Sequence, residues 1–158
     1  MTDSRGSKRL VYAWSPGGLL NSLTDSDGRI TTYLYDPVGR LAAITAPNND
    51  TANLRFDAAG RLTQKRLPNG VSSTYQYNPD NSLAQGVNRT DTGAILTQHD
   101  YTYDGVGNRA GQTENINGVP LNYAYSYDEL TRLTQVANGT PASQENYRYD
   151  PLGNTQRR

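Results

Sequence analysis

The sequence predicts an all-β protein built as an array of about seven antiparallel β-hairpins, and three observations carry that reading. A nine-residue phrase returns along the chain: YAWSPGGLL at 12–20, YLYDPVGRL at 33–41, LRFDAAGRL at 54–62, YQYNPDNSL at 75–83, YTYDGVGNR at 101–109, YSYDELTRL at 125–133 and YRYDPLGNT at 147–155. Self-similarity at a fixed period is the signature of a repeat architecture. Within the phrase the aromatic residues alternate, which places both rings on one face of an extended strand. No 11-residue window sustains apolar residues at helical spacing, so almost no helix is expected.

With the turn position as anchor, the copies fall at Ser15, Asp36, Asp57, Asn78, Asp104, Asp128 and Asp150, spaced by 21, 21, 21, 26, 24 and 22 residues. The first copy is the most worn. In the second, Tyr33 and Tyr35 precede Asp36-Pro37-Val38-Gly39. Asp can cap backbone amides, Pro pre-sets the second turn dihedral and Gly accepts a positive angle, which is type I turn chemistry. Arg40 to Thr45 then reads as the return strand, although Ala42-Ala43-Ile44 interrupts clean alternation. The third copy turns at Asp57 and Gly60 and returns from Arg61 to Leu67. The copies are joined by further reversals at Asp27-Gly28, Asn48 to Asp50, Pro68 to Gly70, Asn117-Gly118 and Asn138-Gly139, the last two being strong hairpin signals.

Seven hairpins imply roughly 12 to 14 strands. The longer spacings predict loops bulging after Asn88 and after Glu114. A lone hairpin cannot bury its tyrosine face, so the copies are expected to stack side by side into a twisted, curved sheet. No composition shift divides the chain. The expected organisation is a disordered N-terminal segment, 1–11, followed by a single repeat domain, 12–158, whose last hairpin is truncated.

Composition narrows the function classes. The 158 residues carry 15 basic and 15 acidic side chains, a formal net charge of zero, and scattered Lys and Arg, which is not the footprint of a phosphate-binding surface. No apolar stretch approaches the roughly 20 residues of a spanning helix, and the first residues lack a signal-peptide hydrophobic region. The chain has no cysteine, so thiolate nucleophiles and zinc–thiolate sites are excluded. Leu, Ile, Val and Phe together make up only about 17% of the residues, while twelve tyrosines stand against one Phe and one Trp. Any core is therefore built on tyrosine, whose ring is buried while its hydroxyl finds a polar edge.

The pattern Tyr33-x-Tyr35-Asp36-x-x-Gly39-Arg40-Leu41, returning about every 21 positions, closely resembles the Rhs or YD (tyrosine–aspartate) repeat family over residues 12–158. That family includes bacterial Rhs polymorphic toxins, the C component of insecticidal toxin complexes, wall-associated proteins and the animal teneurins. The resemblance implies a large β-sheet spiralling into a hollow shell that, in the toxins, encloses a C-terminal effector until delivery. The motif residues it marks are Tyr33, Tyr35, Asp36, Gly39 and Arg40; Phe56, Asp57, Gly60 and Arg61; Tyr75, Tyr77 and Asn78; Tyr101, Tyr103, Asp104 and Gly107; Tyr125, Tyr127 and Asp128; and Tyr147, Tyr149, Asp150 and Gly153. Departures are Leu54 and Phe56 for the tyrosine pair, Ser15 and Asn78 for the acid, and Asn81 and Thr131 for the turn glycine. Altered turns are expected in those copies. Nothing like a shell-closing segment, a self-cleaving aspartyl region or a toxin domain follows, so the chain reads as a fragment of a larger Rhs protein or a short reading frame left by recombination.

Chemistry-bearing residues are few. His99 lacks a G-x-S-x-G elbow to serve and reads as a polar residue opening a strand. Asp36, Asp57, Asp104, Asp128 and Asp150 recur once per hairpin, which fits a turn role better than a reaction centre. Asp25-Ser26-Asp27-Gly28 resembles the start of a calcium loop without its remaining ligands and reads as an ordinary turn. The N-x-T tripeptides at Asn49, Asn88 and Asn138 would matter only in a eukaryotic secretory setting.

The expected function is a non-enzymatic structural module, part of a β-shell that encapsulates or presents a toxin or effector, with no cofactor and no metal. Its expected partners are the remainder of a larger Rhs shell or an encapsulated polypeptide, with self-association through open strand edges and no nucleic acid or membrane span. The alternative is a cell-surface adhesion module binding carbohydrate or protein through its tyrosine face. The residues leave localisation open; the resemblance implies an exported or cell-surface bacterial protein.

Overall fold

The computed structural model describes residues 9–139 and 144–156, and every regular element among them is a β-strand. The disorder expected over 1–11 therefore falls mostly outside the described residues. The chain divides into two units, Met1–Ser72 and Ser73–Arg158. The first contains β1 (Val11–Trp14), β2 (Leu20–Thr24), β3 (Ile30–Tyr35), β4 (Leu41–Thr45), β5 (Thr51–Phe56) and β6 (Leu62–Arg66). Each strand pairs antiparallel with the next in chain order.

The second unit opens at β7 (Ser72–Tyr77) and continues through β8 (Leu83–Arg89), β9 (Ile95–Tyr103), β10 (Arg109–Ile116), β11 (Val119–Tyr127), β12 (Leu133–Asn138) and β13 (Gln144–Asn146). These seven also lie in chain order in one antiparallel sheet, followed by a separate two-stranded ribbon of β14 (Arg148–Tyr149) and β15 (Thr155–Gln156). The fifteen strands among the described residues slightly exceed the expected 12 to 14 because the last tyrosine-bearing strand is broken at Tyr147 into β13 and β14.

Neither unit has a conventional core. Among the described residues only Ala43 (7%), Val87 (4%) and Ser73 (5%) are buried, and no large side chain is fully enclosed. The strands are held by their ladders and by side chains lying across neighbouring strands, the ordinary unit of sheet stabilisation.

Alternation places Tyr33, Tyr35, Leu54 and Phe56 on the better-covered face of the first unit, and Ser73, Tyr75, Tyr101, Tyr103, Tyr123, Tyr125 and Tyr127 on that of the second. The interruption foreseen at Ala42-Ala43-Ile44 has a definite cause. Tyr35 faces Leu41 while Leu34 faces Ala43, so Ala42 is an extra residue on the return strand and the register shifts there. The same shift recurs at Arg55/Phe56 and Ser126/Tyr127, which marks a repeated β-bulge beside the turn.

Two expectations are corrected. The insertions after Asn88 and Glu114 do not bulge as loops: they lengthen the strands, so that β9 and β11 reach nine residues and β10 eight. Extra residues that continue the ladder satisfy their own backbone groups, which a loop would leave to solvent. Nor are the turns altered where glycine is replaced, because Asn81 (φ 71°) and Thr131 (φ 59°) adopt the same left-handed conformation as Gly39 (φ 83°).

Candidate functional site

The recurring feature that unites the motif residues is the joint between one hairpin and the next. At each anchored turn the chain makes the same two backbone bonds. In the second copy, Gly39 N donates to Asp36 O at 2.9 Å and Asp36 N donates to Arg40 O at 2.8 Å. A type I turn closed by a left-handed residue is a common three-residue hairpin connection, and its twist suits the flanking strands. The joining turn at Asp25 uses the same pair of bonds, with Gly28 N to Asp25 O and Asp25 N to Arg29 O, each at 3.0 Å. Asn117-Gly118 instead forms a two-residue turn with both φ values positive, 51° and 86°. Part of the reversal after Asn138-Gly139 lies outside the described residues.

The anchor carboxylate organises its turn from within. Asp36 Oδ1 accepts from Val38 N (3.0 Å) and Arg40 N (2.9 Å), while Oδ2 accepts from Arg40 Nε (2.6 Å). Asp57 and Asp128 take the backbone N–H and Nε of Arg61 and Arg132 in the same way, with the Nε contacts at 2.7 Å. The Arg61 backbone bond and then its guanidinium hold the Asp57 carboxyl below the usual range, against the opposing effect of burial. Arg132 does so for Asp128, again chiefly through its backbone N–H.

Where the residue four positions after the anchor changes, the partner chemistry changes with it. Asn108 and Asn154 give their side-chain amides to Asp104 (3.0 Å) and Asp150 (2.9 Å). In the fourth copy Asn78 Nδ2 donates to Ser82 Oγ at 2.9 Å. In the first, Ser15 Oγ accepts from Leu19 N at 3.0 Å. Asp25 is likewise occupied by Asp27 N, Arg29 N and Arg29 Nε, so its carboxylate serves a turn.

Between hairpins the ladder stops short. The β2–β3 pairing ends at Ser22–Thr32, whereas β3–β4 continues to Tyr35. The same holds for β4–β5 against β5–β6, β8–β9 against β9–β10, and β10–β11 against β11–β12. The Tyr-x-Tyr half of each such strand is thus bonded only within its own hairpin, and side chains span the gap to the preceding one. Tyr35 Oη donates to Leu20 O (3.1 Å), Tyr103 Oη to Leu83 O (2.9 Å), Tyr127 Oη to Arg109 O (3.0 Å) and Tyr149 Oη to Leu133 O (2.8 Å). Each acceptor lies on the return strand of the repeat before. Burial pushes the Tyr127 phenol up, with Arg109 opposing.

Arginine completes the joint from the other side. Arg40 Nη1 donates to Asp57 O at 2.8 Å and its guanidinium lies 5.1 Å from the Phe56 ring centroid, one repeat on. Arg132 lies 4.6 Å from the Tyr149 ring in the same sense. Arg109, one position later in its copy, stacks instead on Tyr101 of its own repeat at 4.3 Å. Tyr75 and Tyr77 stand on β7, Tyr101 on β9 and Tyr125 on β11, while Tyr147 sits at the break before β14 with its hydroxyl on Glu145 (2.6 Å). Three further motif glycines, Gly60, Gly107 and Gly153, have φ of 83°, 92° and 86°.

Sequence reasoning missed the carbonyl acceptors and Arg132. The signal that finds Arg132 is the aligned position four after each anchor. His99 is also placed differently from expectation: it lies mid-strand in β9, opposite Glu114, with Nδ1 3.6 Å from Glu114 Oε1 and its ring stacked near Tyr101 at 6.3 Å. Only the register of β9 on β10 brings the two together. No group of three or more potential metal ligands exists among the described residues.

The RHS Repeat family model matches residues 14–51 and 56–94. Among solved structures, the chain is similar to the TcdB2-TccC3-Cdc42 crystal structure, with a TM-score of 0.78 and 22% identity over 92% of this chain and 9% of that one. It is also similar to the Tc holotoxin pore of Photorhabdus luminescens carrying a TccC3 variant, with a TM-score of 0.58 and 21% identity over 87% of this chain and 9% of that one. A porin-like protein from Bacteroides uniformis shares the strand arrangement more loosely, with a TM-score of 0.52 and 14% identity over 92% of this chain and 79% of that one. No curated protein sequence matches. The chain therefore spans about a tenth of the toxin chains it resembles, and those likenesses speak to fold. Seven aromatic–turn phrases, two matched segments and hairpins joined through tyrosine hydroxyls and arginines lead to one assignment: this chain carries RHS repeats, matched at residues 14–51 and 56–94.

Proposed function

We propose that this structural Rhs repeat module is non-enzymatic and serves as a section of wall, one stretch of a larger β-shell that encloses or presents an effector polypeptide. The observation that carries the reading is where the recurring chemistry of the phrase is spent. The tyrosine hydroxyls on Leu20, Leu83, Arg109 and Leu133 and the guanidiniums over Phe56 and Tyr149 all go into joints between successive hairpins. The anchor carboxylates are occupied by donors of their own turns. Likeness in fold to TccC3-containing toxin structures supports the shell as the context in which such joints would work.

The test is a graft. Residues 12–156 replace the aligned segment of a TccC3-type shell, and the enclosed polypeptide is challenged with protease. Retained protection is expected. Digestion of the cargo within a shell of correct assembled mass would overturn the encapsulating role.

A further inference from the structure

We propose that the face of β9 to β11 carrying Ile95, Glu114, Ile116, Val119 and Leu121 is a docking site for an extended segment of another polypeptide that presents an aliphatic side chain two residues from a lysine. This goes beyond the wall reading and does not depend on whether a cargo is enclosed. The joining turn before Tyr35 occupies Asp25 to Arg29, six to ten residues ahead of it. The same distance ahead of Tyr103 and Tyr127 falls on 93–97 and 117–121, where the insertions have put strand over most of each span. β9 and β11 therefore carry surface that the phrase does not use for a joint. On the face shared with Tyr101 and Tyr123, register sets Thr97 beside Ile116 and Ile116 beside Val119, then His99 beside Glu114 and Glu114 beside Leu121. Ile95, Ile116, Val119 and Leu121 are all exposed, Val119 at 63%. Aliphatic surface gathered on one face, outside the joints, marks an interaction site.

The carboxylate at the inner end of this surface specifies what it receives. The Glu114 side chain is 21% exposed and accepts no hydrogen bond among the described residues. His99 Nδ1 stands 3.6 Å from Glu114 Oε1, beyond hydrogen-bond range, and is itself buried without a partner. A largely covered carboxylate without a donor is costly, and a cation brought in from outside supplies both charge and donors. The nearby cations of this chain are engaged elsewhere: Arg109 stacks on Tyr101 and donates to Gln112 Oε1, and Arg89 donates to Gly93 O. Charge complementarity therefore selects a cationic side chain, and the aliphatic neighbours select an apolar one beside it. Along β10, Ile116 and Glu114 are two residues apart, about 7 Å. An extended segment laid along that strand places its own side chains i and i+2 over the two. Lysine suits Glu114 because its methylene stem can lie on Leu121 while its ammonium reaches the carboxylate.

His99 is the only histidine in the chain, so its ring proton resonances report on the site directly. The experiment titrates an acetylated and amidated peptide, Ser-Leu-Val-Thr-Lys-Ser, into the full chain at fixed pH and follows those resonances. A saturable shift is expected, with affinity falling about fivefold when norleucine replaces the lysine of the peptide. Glu114→Gln in the protein should lower the affinity of the lysine peptide by the same factor and leave the norleucine peptide unaffected, which separates charge pairing from a general loss of fold. As a second arm, Val119→Ser changes a side chain too exposed to hold the sheet and should weaken both peptides alike. No saturable shift, equal binding by a peptide with serine in place of leucine and valine, a Glu114→Gln effect that is absent or independent of the peptide's lysine, or undiminished binding to Val119→Ser would each overturn the proposal.

Discussion

At the residue scale, the chain tolerates replacement of its motif residues only where the substitute can perform the same local task. Asn81 holds the left-handed turn position cheaply, because asparagine enters that region more readily than other non-glycine residues. Thr131 does not, being β-branched at φ 59° with its hydroxyl turned onto Leu130 O at 2.7 Å. Thr131→Gly is therefore expected to stabilise the protein by about 1 kcal/mol, read as a higher urea midpoint. The opposite sign is expected at the joints. Tyr103→Phe keeps the ring and removes the bond to Leu83 O, leaving that carbonyl without this donor, so a loss of about 1 kcal/mol is expected in the same measurement. An unchanged midpoint for Tyr103→Phe would mean that water replaces the phenol at no cost and that the joint depends on ring packing alone.

At the element scale, the hairpin is organised around an ionised carboxylate, and this has a pH consequence. Asp25, Asp57 and Asp128 are each held below the ordinary carboxylate range, first by a backbone N–H four residues on. Asp150 is held down first by the Asn154 side-chain amide. A carboxyl whose folded value is depressed contributes stability that is present above its unfolded value, near 4, and is lost as pH falls through the folded value. Thermal midpoints should thus stay level down to about pH 4 and then fall as the turns protonate. Asp57→Asn should flatten part of that fall, because the neutral amide has no charge to lose. The bulge imposes a second constraint. A Cβ on Gly111 would lie 2.8 Å from Thr102 Oγ1 and 3.4 Å from Tyr123 O. Gly111→Ala is expected to destabilise by about 1 to 3 kcal/mol, as overpacking does, and hydrogen exchange localised to β9 to β11 would confirm the place.

At the scale of the whole molecule, stability is assembled from neighbouring joints and does not reside in a common core, since among the described residues only Ala43, Val87 and Ser73 are buried. Such arrays behave approximately as a sum of unit and interface terms. Trp14 and Tyr12 on β1 form an exposed aromatic pair, a surface that favours association. The purified chain is expected to self-associate with rising concentration, and sedimentation at a single monomer mass across a hundredfold range would contradict that. Substituting Trp14 should weaken the association more than substituting Val38, which is also exposed but sits at a turn tip.

Much of this was legible in the residues alone, because it depends on contacts within about ten positions. The hairpin period, the turn at each Asp or Asn, the strand character of Tyr-x-Tyr and the two-residue reversal at Asn117-Gly118 all follow from local backbone preferences. The tertiary structure alone decided what joins one hairpin to the next. That the Tyr35 hydroxyl reaches Leu20, that Arg40 lies over Phe56, and that His99 meets Glu114 are consequences of register between strands. A one-residue bulge resets that register in the hairpins β1–β2, β3–β4, β5–β6, β9–β10 and β11–β12, and an insertion that lengthens strands leaves the same mark on sequence spacing as one that forms a loop. Local preferences are short-ranged and read directly from sequence; register is set by the sum of many weak cross-strand contacts, and only the folded sheet reveals which sum is lowest.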